Sequence, residues 1–389
     1  MSVTVLLVLV AVSWIYWLVA WWLTRAFFLA RRTMPTDFTP PVSMLKPIKG
    51  LDAQAYENFA SFCRQNYPRF ELLFGVSDYD DEAVSIVKRL SQNFPQCNIR
   101  LVVGRPKGAN RKASLLQCLA AEAHHEVLVI SDSDMRVTPD YLRRVVAPLV
   151  DAQVGLVTCP YRGEVPLTTA AQLEALHMGV TFLPSVMVAS QLFHMPFAMG
   201  ATMVLRRNDL VRMGGFEAIA DYLADDYELG AGIAGLGLRV VLSNYVTASI
   251  LGTTSLREQW HRELRWARCT RYCRPREYPG LLLTFSTPLA LLLLLFSGFA
   301  TVGWQALVVS MLVRWLVGWW VTGYTGNWET RRWLIWLPVR DVLSALVWVA
   351  GGLGRHIMWR GEEFVLHSDG RMEPLSPSPE RSFGKRHAW

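Results

Sequence analysis

The sequence predicts an α/β domain built on a parallel sheet, with apolar helices that cross a membrane on either side of it. Within residues 41–255, short apolar runs such as 127–130 and 240–242 alternate with amphipathic stretches such as 82–94, which is typical of strands alternating with helices. Of the 389 residues, 52% are hydrophobic and 16 are tryptophan. This composition indicates that part of the chain lies in lipid.

The first apolar segment is predicted to be a retained membrane anchor, residues 1–25. Residues 3–23 carry no charge and are long enough to cross a hydrocarbon core as a helix. Arg25, Arg31 and Arg32 follow this segment, whereas a signal peptide carries its positive charge before the apolar run. The positive-inside rule then places the downstream side in the cytoplasm.

Residues 280–354 are predicted to form the C-terminal membrane helices. The uncharged start of this region is long enough for two spans joined near 298–303. A third apolar segment, 333–353, contains Arg340 and Asp341, which are costly at the bilayer centre unless they are buried against protein. We therefore expect one late segment to lie in the membrane interface or to re-enter.

This arrangement keeps the tail, residues 355–389, on the cytoplasmic side, as expected for an arginine-rich segment. Arg314 lies within an apolar span. Two interpretations of it stay open: snorkelling or pairing inside the helix bundle, and binding of a lipid headgroup.

Charge and cysteine content exclude several partners. The formal net charge of +7, from 39 basic and 32 acidic residues, is too mild to indicate nucleic acid but suits anionic headgroups or phosphates. The six cysteines lack the spacing of a zinc site, so we expect reduced thiols that face a cytosol.

Carboxylates follow two predicted strands. Asp132 and Asp134 come directly after strand 126–130, and Asp78 follows strand 71–76. In open α/β sheets, ligands bind at the carboxyl ends of the strands. Solvated turn aspartates are the commoner explanation of an isolated Asp-x-Asp, but this position favours shared coordination of Mg²⁺ or Mn²⁺ together with diphosphate oxygens.

Further candidates come later in the chain. Lys112 closes a basic turn before a helix, a geometry suited to phosphate or uracil recognition. Asp226 could deprotonate a hydroxyl, although an aspartate at a helix start is more often a cap. Arg262 and Arg265 share a helical face and could clamp a diphosphate beside Trp266, or they could only anchor an interfacial helix.

Together these motifs resemble the family 2 and 21 glycosyltransferases, most closely the ceramide glucosyltransferase type and its bacterial relatives in hopanoid biosynthesis. The resemblance covers nearly the whole chain. In family order, its marks are the 44–50 opening Met-Leu-Lys-Pro-Ile-Lys-Gly, Asp78, Asp132-x-Asp134, Asp225-Asp226, the Arg262-x-x-Arg265-Trp266 box and the Trp359-Arg360-Gly361 segment. The resemblance implies a GT-A-type nucleotide-sugar-binding domain over 41–255 and an interfacial segment over 256–279 that carries the RxxRW box.

The resemblance also implies roles for individual residues. Asp226 would be the general base of an inverting displacement that gives a β-linked sugar from an α-linked donor. The implied donor-binding residues are Lys46, Asp78 at the uridine, Lys112 at the nucleotide, Asp132 and Asp134 at the ribose, diphosphate and metal, Gly200 beneath the sugar, and Arg262, Arg265 and Trp266 over the UDP.

The implied function is transfer of a hexose or N-acetylhexosamine from a UDP-sugar to the hydroxyl of a membrane lipid, with a divalent cation as cofactor. A hopanoid polyol is slightly preferred to a ceramide-like acceptor. We expect an integral protein of a bacterial inner membrane, with its catalytic domain in the cytoplasm and no nucleic-acid partner. The alternatives are a processive polysaccharide synthase, which usually needs more spans, and a non-catalytic scaffold, which the complete set of carboxylates disfavours.

Overall fold

The computed structural model describes residues 2–30 and 37–375. Arg31 and Arg32, which carry part of the predicted orientation signal, lie outside these ranges, as do residues 376–389 of the predicted tail. The strands are β1 Val42–Pro47, β2 Phe70–Val76, β3 Asn98–Val103, β4 Val127–Ile130, β5 Met135–Arg136, β6 Val154–Thr158, β7 Tyr161–Pro166, β8 Met203–Arg206, β9 Arg239–Leu242, β10 Thr247–Gly252, β11 His356–Trp359, β12 Glu362–Leu366 and β13 Met372–Pro374.

The α-helices alternate with the strands in the first half of the chain and dominate its second half. They are α1 Val3–Leu29, α2 Ala55–Cys63, α3 Ala83–Asn93, α4 Arg111–Glu122, α5 Tyr141–Val146, α6 Thr169–His177, α7 Leu183–Gln191, α8 Arg207–Arg212, α9 Asp225–Gly235, α10 Leu256–Cys273, α11 Ser286–Phe296, α12 Thr301–Tyr324 and α13 Leu337–Gly352.

A seven-stranded sheet with the order β3-β2-β1-β4-β8-β6-β9 forms the centre of the α/β domain. β3, β2, β1 and β4 run parallel, and β8 pairs antiparallel with both β4 and β6. β1 and β4 are buried along their whole length, as expected for parallel strands covered on both faces. Their carboxyl ends therefore meet at one sheet edge.

A smaller sheet extends that edge. It has the order β5-β10-β7. β5 begins directly after the acidic turn, which is formed by residues 131–134 and follows β4. β10 pairs antiparallel with β5 and parallel with β7. The smaller sheet thus brings residues far apart in sequence next to the acidic turn.

Apolar helices lie on both sides of the domain in sequence, which confirms the predicted architecture. Within the described residues, four helical segments are long and apolar enough to cross a membrane: Val3–Leu29, Thr169–Gln191, Thr301–Tyr324 and Thr330–Gly352. The second, which contains α6 and α7, was not predicted from the sequence and is largely buried within the protein.

The segment before α12 is bent rather than straight. A 3₁₀ turn, Tyr278–Thr284, meets α11 at an angle of 75°, so the two form a broken span or a re-entrant loop. α11 alone has 11 residues, fewer than the roughly 20 that a helix needs to cross a bilayer. The predicted junction near 298–303 coincides with the break between α11 and α12, where Gly298 has a φ of +64°.

The charges within the late helices are paired inside the protein. Arg314 Nη2 lies 2.8 Å from Asp341 Oδ1, and its guanidinium stacks 3.6 Å from the centre of the Trp17 ring. Arg340 Nη2 lies 2.6 Å from Glu263 Oε2 of α10, and both side chains are almost fully buried. Arg314 therefore pairs inside the bundle. Arg340 and Asp341 are buried against protein, which lowers their cost at membrane depth.

The segment that follows α13 forms a third sheet with the order β11-β12-β13. A small apolar cluster that includes Leu223, Ile357 and Phe364 packs this sheet against the α/β domain. The described part of the predicted tail is therefore folded onto the domain.

Candidate functional site

The buried side chain of Lys46 binds the backbone of the acidic turn after β4. The Lys46 ammonium donates to the Asp132 carbonyl oxygen at 2.8 Å and lies 3.6 Å from the centre of the Phe62 ring. Burial lowers the pKa of Lys46 to about 7, against the opposing effects of Asp132, Asp134 and Asp52. Lys46 is 1% exposed and does not line the cavity described below, so the geometry gives it a positioning role.

Asp132 and Asp134 have different surroundings. Burial alone would raise the pKa of Asp132, but the Lys112 ammonium, 2.7 Å from Asp132 Oδ1, outweighs it and holds that pKa below its usual range. Asp134 accepts a 2.7 Å hydrogen bond from the Ser249 hydroxyl. Burial, followed by the charges of Asp132 and Asp52, raises the pKa of Asp134 to about 6. Asp132 is therefore paired with a cation, whereas Asp134 is influenced mainly by burial and by other carboxylates.

Lys112 joins the acidic turn to the start of α9. Its ammonium lies 3.2 Å from Asp225 Oδ2 as well as close to Asp132. Although burial opposes its charge, Asp132 and Asp225 hold the pKa of Lys112 above its ordinary value. Asn110 caps α4 by accepting from the Ala113 N–H at 3.0 Å, and this cap fixes the turn that carries Lys112.

Asp226 is fixed by two backbone N–H groups. Gly200 donates to Asp226 Oδ2 at 2.9 Å, and Tyr227 donates to Oδ1 at 2.8 Å. Burial, followed by the charge of Asp225, raises the pKa of Asp226 to about 6. An oriented carboxylate with a raised pKa in a cleft suits a general base.

Gly200 fits between the two carboxylate groups because it has no side chain. A Cβ at this position would lie 2.8 Å from both Asp132 Oδ2 and Lys112 Nζ. Its backbone can therefore approach the acidic turn while its N–H binds Asp226. A side chain here would displace the Asp132 carboxylate and the Lys112 ammonium, so glycine keeps both groups in place.

The arginine and tryptophan box lies on α10, which begins with a capping box formed by Ser255 and Glu258. Arg262 Nε lies 3.0 Å from Glu174 Oε1, and the Arg265 guanidinium lies 5.4 Å from the centre of the Trp359 ring. Trp266 packs in an apolar cluster of α6. Glu174 was not predicted from the sequence, where its signal is a single carboxylate in a stretch, 169–191, that has no other acidic residue and no Lys or Arg.

Apart from Lys46, the proposed site residues just described line one cavity of about 1890 Å³. Its lining includes the carboxylates of the acidic turn and of the start of α9. It also includes apolar and aromatic side chains of two helices that are long and apolar enough to cross a membrane, among them Ile15 and Val19 of α1 and Val347 and Trp348 of α13. The cavity thus joins a charged pocket to a surface suited to lipid.

The structure brings together most of the residues that the sequence predicts for the site. The cavity is lined by Lys112, Asp132, Asp134, Gly200, Asp226, Arg262, Arg265 and Trp266. Asp78 is exposed at the end of β2, beside Ser77, which does line the cavity. Lys46 lies beneath the acidic turn, as described above.

The carboxylates of the acidic turn suit a divalent cation that is also coordinated by a bound substrate. Within residues 2–30 and 37–375, no group of three or more His, Cys, Asp and Glu side chains is arranged to hold a metal ion by itself. Mg²⁺ commonly uses one or two carboxylates together with substrate phosphates. Asp132 and Asp134 would supply two such carboxylates, and phosphate oxygens of a ligand would complete the coordination.

Comparison with known proteins gives one matching family description. The model of glycosyl transferase family 21 matches residues 5–372, nearly the whole chain. Ceramide glucosyltransferase 3 of Caenorhabditis elegans is 26% identical over 353 residues, which cover 86% of this chain and 74% of the relative. A ceramide glucosyltransferase of Komagataella phaffii is 23% identical over 90% of this chain and 87% of its own length.

Among solved structures, a mannosyltransferase from Pyrobaculum calidifontis in complex with GDP-Man and Mn²⁺ is similar to this chain with a TM-score of 0.54. It is 20% identical, and the match covers 90% of this chain and 99% of the mannosyltransferase. This likeness confirms the predicted glycosyltransferase fold of the GT-A type.

Proposed function

Because the chain belongs to glycosyl transferase family 21, we propose that it transfers one hexose or N-acetylhexosamine from a UDP-sugar to the hydroxyl of a membrane lipid. The observation that carries this proposal is the continuous cavity, which joins the carboxylates to the apolar face of α1 and α13. A soluble acceptor would not need the second half of this cavity. A lipid can keep its chains against the membrane helices while its headgroup reaches the carboxylates.

Asp226 is the proposed general base. The backbone N–H groups of Gly200 and Tyr227 orient its carboxylate, which takes the proton of the acceptor hydroxyl as the oxygen attacks the anomeric carbon. The attack comes from the side opposite the leaving UDP, so an α-linked donor gives a β-linked product. Burial and the nearby Asp225 raise the proton affinity of the base, which suits proton transfer near neutral pH.

The remaining polar side chains bind the donor. We assign Asp78, which is exposed next to the cavity-lining Ser77, to the uridine, and Lys112 and Arg265, which line the cavity, to the diphosphate as sources of positive charge. Arg262 also lines this cavity, and its Nε lies 3.0 Å from Glu174 Oε1. Trp266 covers the region between donor and acceptor with an apolar surface.

We propose that Asp132 and Asp134 hold Mg²⁺ or Mn²⁺ together with the donor diphosphate. When bound, the cation neutralises the charge that develops on the diphosphate as UDP leaves. Lys46 fixes the backbone of the turn through the Asp132 carbonyl, so that both carboxylates keep their direction.

The acceptor is a lipid with a hydroxyl near the membrane interface, either a hopanoid polyol or a ceramide-like lipid. The protein is proposed to lie in a bacterial inner membrane with its catalytic domain in the cytoplasm. Arg25, at the end of α1 that leads into the domain, supports this orientation.

The test is a donor and acceptor screen with the purified protein in lipid nanodiscs. UDP-glucose or UDP-N-acetylglucosamine is supplied with Mg²⁺ or Mn²⁺ and with ceramide, diacylglycerol or bacteriohopanetetrol, and products are identified by mass spectrometry. The proposal predicts a lipid that carries one sugar. A ladder of longer products would instead identify a processive polysaccharide synthase, and no product from folded, metal-supplied protein would contradict the proposal.

A further inference from the structure

The C-terminal sheet ends in a tight turn beside the acidic cluster. Trp359 of β11 pairs with Glu362 of β12, so Arg360 and Gly361 alone form the turn between the strands. Both have positive φ, 50° for Arg360 and 84° for Gly361. A two-residue hairpin turn with positive φ at both positions is of type I′, in which Asn-Gly is strongly preferred.

Arg360 is thus an unusual choice for its backbone. A long side chain gains nothing from the left-handed conformation, which Asn or Gly adopts more readily. Residues held in such conformations cluster at ligand-binding sites, where the side chain has a use that offsets the strain. The backbone conformation therefore indicates that the Arg360 guanidinium has a binding role.

The guanidinium faces the acidic turn. Arg360 Nη1 lies 3.4 Å from Asp52 Oδ1, and the other oxygen of Asp52 accepts a hydrogen bond from Ser133, between the two carboxylates of the proposed metal site. Arg360 lines the same cavity as Asp132 and Asp134. Its side chain is about half exposed and its ion pair is long, so the pair with Asp52 is weak and easily exchanged.

The strands beside the turn are fixed to both sides of the donor pocket. Glu362 Oε1 lies 3.2 Å from Lys49 Nζ, after β1, and 3.2 Å from Arg111 Nη2, at the start of α4. The Trp359 ring centre lies 5.4 Å from the Arg265 guanidinium of α10. These contacts hold the turn beside β1, α4 and α10, where Arg360 and Gly361 line the cavity.

The sheet is also joined to the loop that precedes the proposed base. The Met372 N–H donates to the Asp221 carbonyl at 2.8 Å, and the Leu223 N–H donates to the Gly370 carbonyl at 3.2 Å. The same segment of chain therefore contacts the α9 end of the pocket and presents Arg360 at its acidic end.

We propose that Arg360 is a further donor-binding residue, whose guanidinium exchanges Asp52 for the diphosphate of the bound nucleotide-sugar. This inference rests on the proposed function. Guanidinium groups bind phosphate oxygens through two parallel hydrogen bonds, which a weak carboxylate contact does not prevent. Arg360 would approach the diphosphate from the C-terminal sheet, while Lys112 approaches from α4.

The test compares Arg360→Asn with the wild type, both in lipid nanodiscs with Mn²⁺ in the buffer. Binding of UDP is measured by isothermal titration calorimetry, and binding of uridine by its displacement of UDP. We expect Arg360→Asn to weaken UDP binding by about 10-fold or more, the usual effect of losing a charged hydrogen bond, and to leave uridine binding unchanged. Because Asn suits a type I′ turn, thermal unfolding should occur at the same or a higher temperature.

Arg355→Asn is the matched control, because Arg355 is an exposed arginine at the base of the same hairpin and does not line the cavity. This variant should bind UDP like the wild type. Unchanged UDP affinity in Arg360→Asn would overturn the assignment, as would an equal loss of UDP and uridine binding, which would indicate a structural effect of the hairpin. Absence of UDP binding by the wild type would instead overturn the proposed function itself.

Discussion

At the scale of single residues, Asp226 carries the proposed chemistry, and its substitution separates binding from turnover. Asp226→Asn keeps the shape of the side chain and an oxygen for the Gly200 N–H, which lies 2.9 Å away. It removes the proton acceptor, so turnover should fall by roughly 100-fold or more. UDP affinity, measured by calorimetry on the same sample, should change little. Turnover close to that of the wild type would remove Asp226 from this role.

The same carboxylate predicts the pH dependence of the reaction. Burial and the charge of Asp225 raise the pKa of Asp226 to about 6, so the group is protonated below that pH and cannot accept a proton. We expect kcat/KM to fall as the pH drops through about 6. The pKa of Asp134 is also raised to about 6, by burial, Asp132 and Asp52, and its protonation would weaken cation binding in the same range.

A saturating concentration of Mn²⁺ separates the two groups. Binding of the cation requires Asp134 to be deprotonated, so a high Mn²⁺ concentration lowers the pH at which Asp134 becomes protonated. Asp226 is not a proposed ligand of the cation, so Mn²⁺ should not shift its protonation in this way. Glu174 is another buried carboxylate that lines the cavity, so the measurement is made in Glu174→Gln to exclude a contribution from its protonation. We assign to Asp226 the loss of activity at low pH that persists in this variant at saturating Mn²⁺. If activity no longer fell at low pH under these conditions, the assignment of Asp226 as the general base would be contradicted.

The residues that sequence reasoning could place are those at strand and helix termini. Asp132 and Asp134 follow a buried strand, and parallel strands end at one sheet edge, so their proximity follows from the chain order. The burial of Lys46 was not predictable, since β1 is covered on both faces only after α2 packs Phe62 against it. The pairing of Arg262 with Glu174 likewise depends on α6, which lies far from α10 in sequence.

At the scale of elements, a buried ion pair joins α10 to α13, beside hydrogen bonds such as that from Arg271 to the Gly351 carbonyl. Glu263 and Arg340 are almost fully buried, with a closest N–O distance of 2.6 Å. Arg340→Met leaves Glu263 buried without its partner, which should destabilise the protein by about 3–5 kcal/mol. Thermal unfolding in nanodiscs, followed by tryptophan fluorescence, measures the loss.

The double variant Glu263→Gln with Arg340→Met is the matched control. Removing both charges should recover much of the lost stability, because an uncompensated buried charge costs more than the absence of the pair. If the double variant were no more stable than Arg340→Met alone, the cost would come from packing and not from charge. In that case the ion pair would not be what joins α10 to α13.

Elements with strong periodicity were predictable, and those that depend on distant partners were not. The amphipathic stretch 82–94 corresponds to α3, Ala83–Asn93, because its apolar face is encoded locally. Thr169–Gln191 was missed as an apolar helix because it carries Glu174, and its burial comes from other helices. The β11-β12-β13 sheet was missed because its strands have only four, five and three residues, too few to show a clear alternation of apolar and polar positions.

At the scale of the whole molecule, the sequence predicted an α/β domain between membrane helices, but not how the two are joined. The junction is made by α6, α7 and α10, which line the cavity beneath the acidic turn. Buried charges fix this junction, with Arg314 paired to Asp341 in the helices and Arg340 paired to Glu263 at the domain. Hydropathy cannot locate such pairs, since it scores each charge as a cost.

The central claim is that one cavity holds a nucleotide-sugar and a lipid hydroxyl for a single inverting transfer. The measurement that tests it most directly is the anomeric configuration of the product formed in nanodiscs from UDP-sugar labelled with ¹³C at the anomeric carbon, read by NMR on the extracted lipid. The account predicts one β-linked sugar per lipid. An α-linked product, or labelled sugar released only into water, would contradict it.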